Sequence, residues 1–440
     1  ISGLPTIETP PNYPFIMPAF LARMAVEKGP IFRRDLGNGQ SLVYLIGPEA
    51  NKLIMQAGRE SFSHDLGWTP IVGEFFGKGL LNMDDPLHAE HRKMMNPAFA
   101  IAYMARYLPV MRRVIASRTR EWAERGEVDV YQEARKITFD VAAETLVGFP
   151  AGEEVDTLRG LFYTMLAGDF DPTGESEETF WQRMLATGMD LSQRLLAMIE
   201  RRRNAPAQEE RDDILTMLVR ARDAHGEPLS DEQILGHVNI LLVAGHETST
   251  TLATWLLYEL ASHPAYLARV HAELDRVLGD RDDAITLDQI KDLRELGYAL
   301  SETGRLHPPA GNVPRGVVKD VEFNGYLLPA GTRVIYSIAA SHRLPHIFAR
   351  PDEFDPDRFA PPREEDKKVP YSLVTFGGGP RICIGINFAQ VEIKALAAHV
   401  LRRYTLEPVG GAVEMGYWGP TGTLPQGMPM RVRARNLASR

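Results

Sequence analysis

The chain has 440 residues, 44% hydrophobic and 24% charged, a balance that fits a globular protein and excludes disordered or collagen-like ones. A formal net charge of −9 speaks against a general nucleic-acid binder, which usually carries a basic surplus. A single cysteine excludes an intrachain disulfide and the common structural zinc sites, and it suits a reducing cytoplasm.

Pro5, Pro10, Pro11, Pro14 and Pro18 predict an extended, turn-rich lead over residues 1–29. The chain opens on Ile1 rather than Met, which leaves room for a removed upstream segment, and no signal peptide is expected. Ile31 to Arg34 and Leu42 to Ile46 flank Gly37-Asn38-Gly39 and predict a hairpin. From His88 to Ala224 apolar residues recur at helical spacing, as in Tyr103 to Ala123 and Trp181 to Arg203. Ser230 with Gln233 reads as a capping box, opening a helix of about 30 residues that ends near Pro264. Its stretch Gln233 to Tyr258 is poor in charge, but His237, His246 and Glu247 would be costly in lipid, so a core helix is expected and no membrane span. Thr286 with Gln289 opens a further helix that stops at Pro308-Pro309. Val321–Phe323, Asn324-Gly325 and Tyr326–Leu328 predict a tight hairpin, followed by a strand from Thr332 to Tyr336. A glycine-rich loop, Gly377 to Gly385, then leads into a helix from Ile386 to Tyr404. The expected class is mainly α with a smaller β part (α+β).

The lone Cys383 lies in Phe376-Gly377-Gly378-Gly379-Pro380-Arg381-Ile382-Cys383-Ile384-Gly385. Amides at a helix start and a nearby arginine favour a thiolate, which makes this sulfur a candidate metal ligand or nucleophile; the bland alternative is a small buried hydrophobe. The glycines allow a bulky planar group to approach the backbone, and Phe376 is placed to shield the sulfur. No Gly-Lys-Ser/Thr follows, so the loop is not a phosphate loop.

Phe376, Gly379, Arg381, Cys383 and Gly385 match Phe-x-x-Gly-x-Arg-x-Cys-x-Gly, and the pattern resembles the haem-thiolate loop of the cytochrome P450 family. Ala244-Gly245-His246-Glu247-Thr248-Ser249 is similar to that family's oxygen-binding segment. Glu302-Thr303-Gly304-Arg305, followed by Pro351 to Phe359, resembles its Glu-x-x-Arg helix and the loop after it. The motifs stand in the family's order from about Pro30 to Arg433.

The resemblance implies the cytochrome P450 fold, with a long central helix and the cysteine loop enclosing haem, as a single catalytic domain over residues 1–440 without a fused reductase. Cys383 would be the proximal iron ligand, a thiolate whose electron density favours O–O cleavage. His88, Arg92, Arg315 and Arg381 would meet the haem propionates, with His88 and His91 the alternative of a metal pair. Gly245 would leave room for O2, and Thr248 with Glu247 would deliver protons. Glu302, Arg305 and Arg358 would form a buried structural network.

The implied activity is a haem-thiolate monooxygenase that hydroxylates or epoxidises a lipophilic small molecule, using haem b, O2 and NAD(P)H electrons from a separate ferredoxin or flavodoxin/reductase. Lys93, Arg112 and Arg113 are candidates for its docking face. Asp65 to Leu80 with Trp68, Phe75 and Phe76, the face around Ala244, Pro309 to Val313 and Thr421 to Leu424 would line the pocket. The alternatives are a peroxide-using peroxygenase, an isomerase or dehydratase on the same fold, and a haem-based sensor or carrier.

Overall fold

The computed structural model describes the chain apart from residues 1–2, 9–16, 38, 58, 74–75, 168–175, 207–210, 212, 280–284, 412, 414–415, 419–420, 425 and 436–440. Asn38 of the predicted turn, Phe75, and Pro10, Pro11 and Pro14 of the lead lie outside the described residues. Where the lead is described it is not simply extended. Thr6–Ile7 (β1) adds a parallel strand to the sheet, and Pro18–Lys28 forms helix α1 with Pro18 in its first turn. There the missing proline N–H would have had no intrahelical partner anyway.

The main sheet adds Ile31–Gly37 (β2), Gln40–Leu45 (β3), Phe62–Ser63 (β4), Asn312–Val317 (β5) and Arg333–Ser337 (β6), in the order β1-β2-β3-β6-β5-β4. β2 and β3 form the predicted hairpin, longer than the spacing suggested. The hairpin Val321–Phe323 and Tyr326–Leu328 turns through Asn324 and Gly325, both at positive φ. That is what asparagine and glycine tolerate at a two-residue turn.

The remaining bulk is helical. Leu87–Met95 (α2), Met104–Thr119 (α3), Val130–Ala142 (α4), Asp231–Ser262 (α5), Arg294–Leu306 (α6) and Ile386–Arg403 (α7) frame the site. α5 runs 32 residues, about 48 Å at 1.5 Å per residue. It opens with the predicted capping box: the Ser230 hydroxyl accepts from Gln233 N, and the Gln233 side chain accepts from Ser230 N. It is apolar on nearly every side because α4, α6, α7 and the helix Glu177–Arg203 all pack on it. Thr138 and Thr250 join α4 to α5 through their hydroxyls, 2.7 Å apart. Among the described residues no helix is long and apolar enough to cross a membrane.

Candidate active site

The cysteine loop is shaped by its glycines. Gly377 and Gly379 take positive φ, and a Cβ on Gly379 would lie 2.3 Å from the Met55 carbonyl oxygen, so only glycine fits. Cys383 N–H donates to the Phe376 carbonyl at 2.8 Å, which closes the loop before Gly385 opens α7. A solvent-sized sphere reaches the sulfur, yet protein surrounds it closely. Burial therefore pushes the thiol pKa up, against the Gly385 amide and the Arg92 charge, which favour the thiolate. The amide and arginine influences expected from sequence are both present, the arginine being Arg92, but burial outweighs them.

Above the loop, basic side chains converge from four segments, three of them arginines. His88 and Arg92 come from α2, Arg315 from β5 and Arg381 from the loop, with His64 beside them from the end of β4. Arg381 Nη1 donates to the Met83 carbonyl at 2.7 Å, and its Nη2 lies 3.7 Å from Asp85 Oδ1, which also sits 3.3 Å from His88 Nδ1. Burial and repulsion from Arg315 and Arg92 lower Arg381 to about 10, against attraction to Asp85 and Asp84. Burial and Arg381 hold His88 at about 4, and His64 is pushed far below the ordinary histidine range. Arg315 is buried, bonds the Pro314 carbonyl and leaves Nε without a partner. Clustered, desolvated cations that depress one another call for an anion carrying more than one charge.

On the central helix, Thr248 Oγ1 donates to the Ala244 carbonyl at 2.6 Å, the expected bond that loosens a helix locally. Ala244 stays exposed in the middle of an otherwise buried helix, so it faces an interior cleft. Gly245 does not: a Cβ there would lie 3.3 Å from Leu146 Cδ1 and 3.7 Å from Ala142 Cβ. Its missing side chain serves packing beside α4, and no room for O2 follows from it. Glu247 is engaged as well, accepting from Arg135 Nη2 at 2.6 Å and facing His246 Nε2 at 3.0 Å. Burial alone would raise its pKa, but His246 and Arg135 hold it at about 2. Arg135 in turn lies over the Tyr163 ring, 3.8 Å from its centroid.

Behind the loop, Glu302 Oε2 accepts from Arg305 Nε at 2.7 Å, and Oε1 accepts from Arg305 Nη2, Arg358 Nε and Asp355 N, each at 2.9 Å. All three charged side chains are fully buried. The Thr375 hydroxyl donates to the Gly304 carbonyl, tying this network to the residue before Phe376.

The cytochrome P450 family model matches residues 15–425. The chain belongs to the cytochrome P450 family. It is 34% identical over 399 residues to the putative cytochrome P450 136 of Mycobacterium tuberculosis, covering 89% of this chain and 79% of that one. It is 30% identical over 397 residues to a sterol 14alpha-demethylase of Mycolicibacterium vanbaalenii, covering 88% and 86%. The retinoic acid bound cyanobacterial CYP120A1 superposes with a TM-score of 0.84 at 27% identity, covering 94% of each chain. This P450 is a haem-thiolate monooxygenase, and its fold is mainly helical with a smaller sheet part.

Haem fits the residues present. The three arginines of the cluster would balance two propionates, Arg315 Nε lacks only an acceptor, and Cys383 faces open space under a loop whose glycines keep side chains away. The metal-pair alternative for His88 and His91 fails: His88 meets Asp85 while His91 meets His237, and no group of three potential ligands occurs among the described residues.

Of the three aromatic pocket candidates, the two described ones belong to the hydrophobic core. Trp68 and Phe76 are both buried, and Phe76 stacks on Phe162. Two other predicted walls are joined by main chain: Gly422 N donates to the Pro309 carbonyl at 2.7 Å, and Thr251 Oγ1 donates to the Gly422 carbonyl at 3.2 Å. Of the candidate docking residues, Arg113 pairs with Glu144 and Arg112 reaches the Ile285 carbonyl.

The sequence reading missed His64, Arg135, His237 and Glu392. Glu392 had a readable signal, since it falls on the apolar stripe Phe388, Val391, Ala395, Leu396 of α7. It is fully buried, and neither oxygen reaches hydrogen-bonding geometry with any group, the nearby Ser249 hydroxyl included. Burial pushes its pKa from 4.5 to about 8, opposed only by Ser249. The folded protein therefore binds a proton that the unfolded chain has already released, and stability falls as pH rises from about 4.5 to about 8. Glu392→Gln is expected to remove that fall, stabilising the protein at pH 8 by up to about 5 kcal/mol and hardly at all near pH 4. Denaturant titrations at the two pH values check it; a gain equal at both would contradict a buried neutral acid.

Proposed function

We propose that this P450 inserts one atom of O2 into a lipophilic small molecule and reduces the other to water. Its electrons come from NAD(P)H through a separate ferredoxin or flavodoxin and reductase, and its setting is the cytoplasm. The observations that carry the reading are the accessible Cys383 beside a cluster of basic side chains and a central helix that exposes Ala244 at mid-length and bonds the Thr248 hydroxyl to its carbonyl. Haem b, held by the Cys383 sulfur and by His88, Arg92, Arg315 and Arg381, supplies oxygen activation when bound.

The chain's own residues supply orientation and protons. Arg135 and His246 keep Glu247 a carboxylate, so it serves as an acceptor that passes protons on rather than as a stored acid. The Thr248 hydroxyl, bonded to the Ala244 carbonyl, is the last group before the cleft that can hold a proton in place. A lipophilic substrate is supported by the apolar side chains on the predicted walls, Ala310, Val313 and Leu424, and by relatives named for a sterol and for retinoic acid.

The test is turnover of a lipophilic panel under isotopically labelled O2, with a ferredoxin and its reductase. Labelled oxygen in the product supports insertion; label confined to water, or turnover without any electron donor, contradicts it. In the same assay Thr248→Ala is expected to divert reducing equivalents into peroxide, and unchanged coupling would remove Thr248 from proton handling.

A further inference from the structure

α2 carries His88 and Arg92 one turn apart, and between them His91 turns to the central helix. His91 Nδ1 lies 2.6 Å from His237 Nε2, the ring centroids are 4.9 Å apart, and each side chain is only 1% exposed. A contact of that length between two ring nitrogens holds one proton, donated by one ring and accepted by the other. The outer nitrogens, His91 Nε2 and His237 Nδ1, have no partner. Among the described residues no carboxylate bonds either ring.

The pair sits where three elements meet. Gly236, the neighbour of His237, lies so close to the Phe76–Leu81 segment that a Cβ would fall 2.2 Å from the Lys78 carbonyl oxygen, and Asn239 Nδ2 donates to the Phe76 carbonyl at 3.3 Å. The start of α5 is thereby fixed on one side by a main-chain jam that nothing titrates. On the other side the histidine pair is its bond to α2.

We propose that His91 and His237 form a pH-sensitive latch that positions α2, and with it His88 and Arg92, for holding the haem propionates. The proposal rests on the reading of His88 and Arg92 as propionate partners. At neutral pH the two rings share one proton and hold the helix in place. In acid the pair takes up two protons, one on each neutral ring; both shared nitrogens then carry hydrogen, two cationic rings at this separation repel, and α2 loosens from α5.

Burial comes first in holding both rings below the ordinary histidine value of 6.5, His237 at about 3 with His91 as its second cause. The charged groups acting on His91 are Glu90 on its own helix and Asp223 in the turn after helix Ile214–Arg220; both oppose burial. Only His91 acts on His237. Because both values are depressed, the unfolded chain takes up protons first: the contribution is complete above about 6.5 and is lost as pH falls toward 3.

The test uses the holoprotein and a double variant, His91→Asn with His237→Gln, whose carboxamides stand near Nδ1 and Nε2 and keep a hydrogen bond that does not titrate. Haem transfer to excess apomyoglobin and the thermal midpoint are followed from about pH 8 to about pH 5. Transfer from the wild type is expected to accelerate up to about tenfold per pH unit for each proton taken up, and the double variant to show a slope shallower by at least one proton. Identical slopes overturn the latch. If the double variant does not fold, histidine-selective nitrogen NMR of the reduced, carbon-monoxide-bound wild type decides. Neutral His91 and His237 at pH 6 support the proposal, and charged rings there overturn it. Failure of the propionate reading would look different: the midpoint of the wild type would keep its histidine-linked pH slope while haem transfer ignored pH.

Discussion

Cys383→Ser is expected to yield a folded protein that has lost the red-shifted absorption band carbon monoxide raises in a reduced thiolate-ligated haem. The chain contains one cysteine, so no second thiol can move in as a substitute. Oxygenation should fall to the level of unbound haem, because serine offers a harder, far less electron-rich donor than thiolate. Folding should survive: Cys383 contributes a main-chain bond to Phe376, which serine keeps, and its sulfur fills no core position. A difference spectrum of reduced protein measures the outcome. A variant that retained the thiolate-type band would mean that Cys383 is not the ligand.

The second large effect falls on stability. Glu302→Leu leaves the guanidinium groups of Arg305 and Arg358 fully buried without their shared carboxylate, and Asp355 N without its acceptor. Breaking a buried pair in this way typically costs about 3–5 kcal/mol, and here one carboxylate serves two cations. Chemical denaturation of the apoprotein and holoprotein should both show the loss. Equal stability of variant and wild type would place the network among decorations of the fold. Glu302 touches no part of the cleft, so the damage reaches the site indirectly, through Gly304 and the Thr375 hydroxyl that bonds its carbonyl ahead of the cysteine loop.

Much of this was readable in the residues because the signals were local. The Ser230 and Thr286 capping boxes both formed, since each needs only a hydroxyl and an amide three residues apart. The Asn324-Gly325 turn follows from φ preferences that one or two residues carry, as does the positive φ of Gly379. What escaped depends on partners far along the chain. The helix opened at Thr286 was expected to run on to Leu306, but it breaks at Leu293 and α6 begins afresh. The reason is Glu273, on the helix Pro264–Leu278: its carboxylate accepts from Arg294 N, Glu295 N and Leu296 N at 2.6, 2.8 and 3.1 Å. A side chain from another helix performs the cap that no neighbour in sequence supplies. In the same way, Glu247 read as a free acid until Arg135 arrived from 112 positions upstream, and Gly245 read as space until α4 filled it. The motifs identified which residues matter; their protonation and direction came from contacts that spacing does not encode.

The main-chain bond from Gly422 to Pro309 and the bond from the Thr251 hydroxyl of the central helix to the Gly422 carbonyl hold two predicted walls to that helix without using a single wall side chain. Frame and lining are thereby separable. On the proposed substrate reading, exchanges at Ala310, Val313 and Leu424 would alter the outline presented to a guest molecule while these backbone bonds stay in place. A lineage carrying this arrangement can drift from one lipophilic guest to another by single side-chain steps, each of which leaves the oxygen-handling groups where they were.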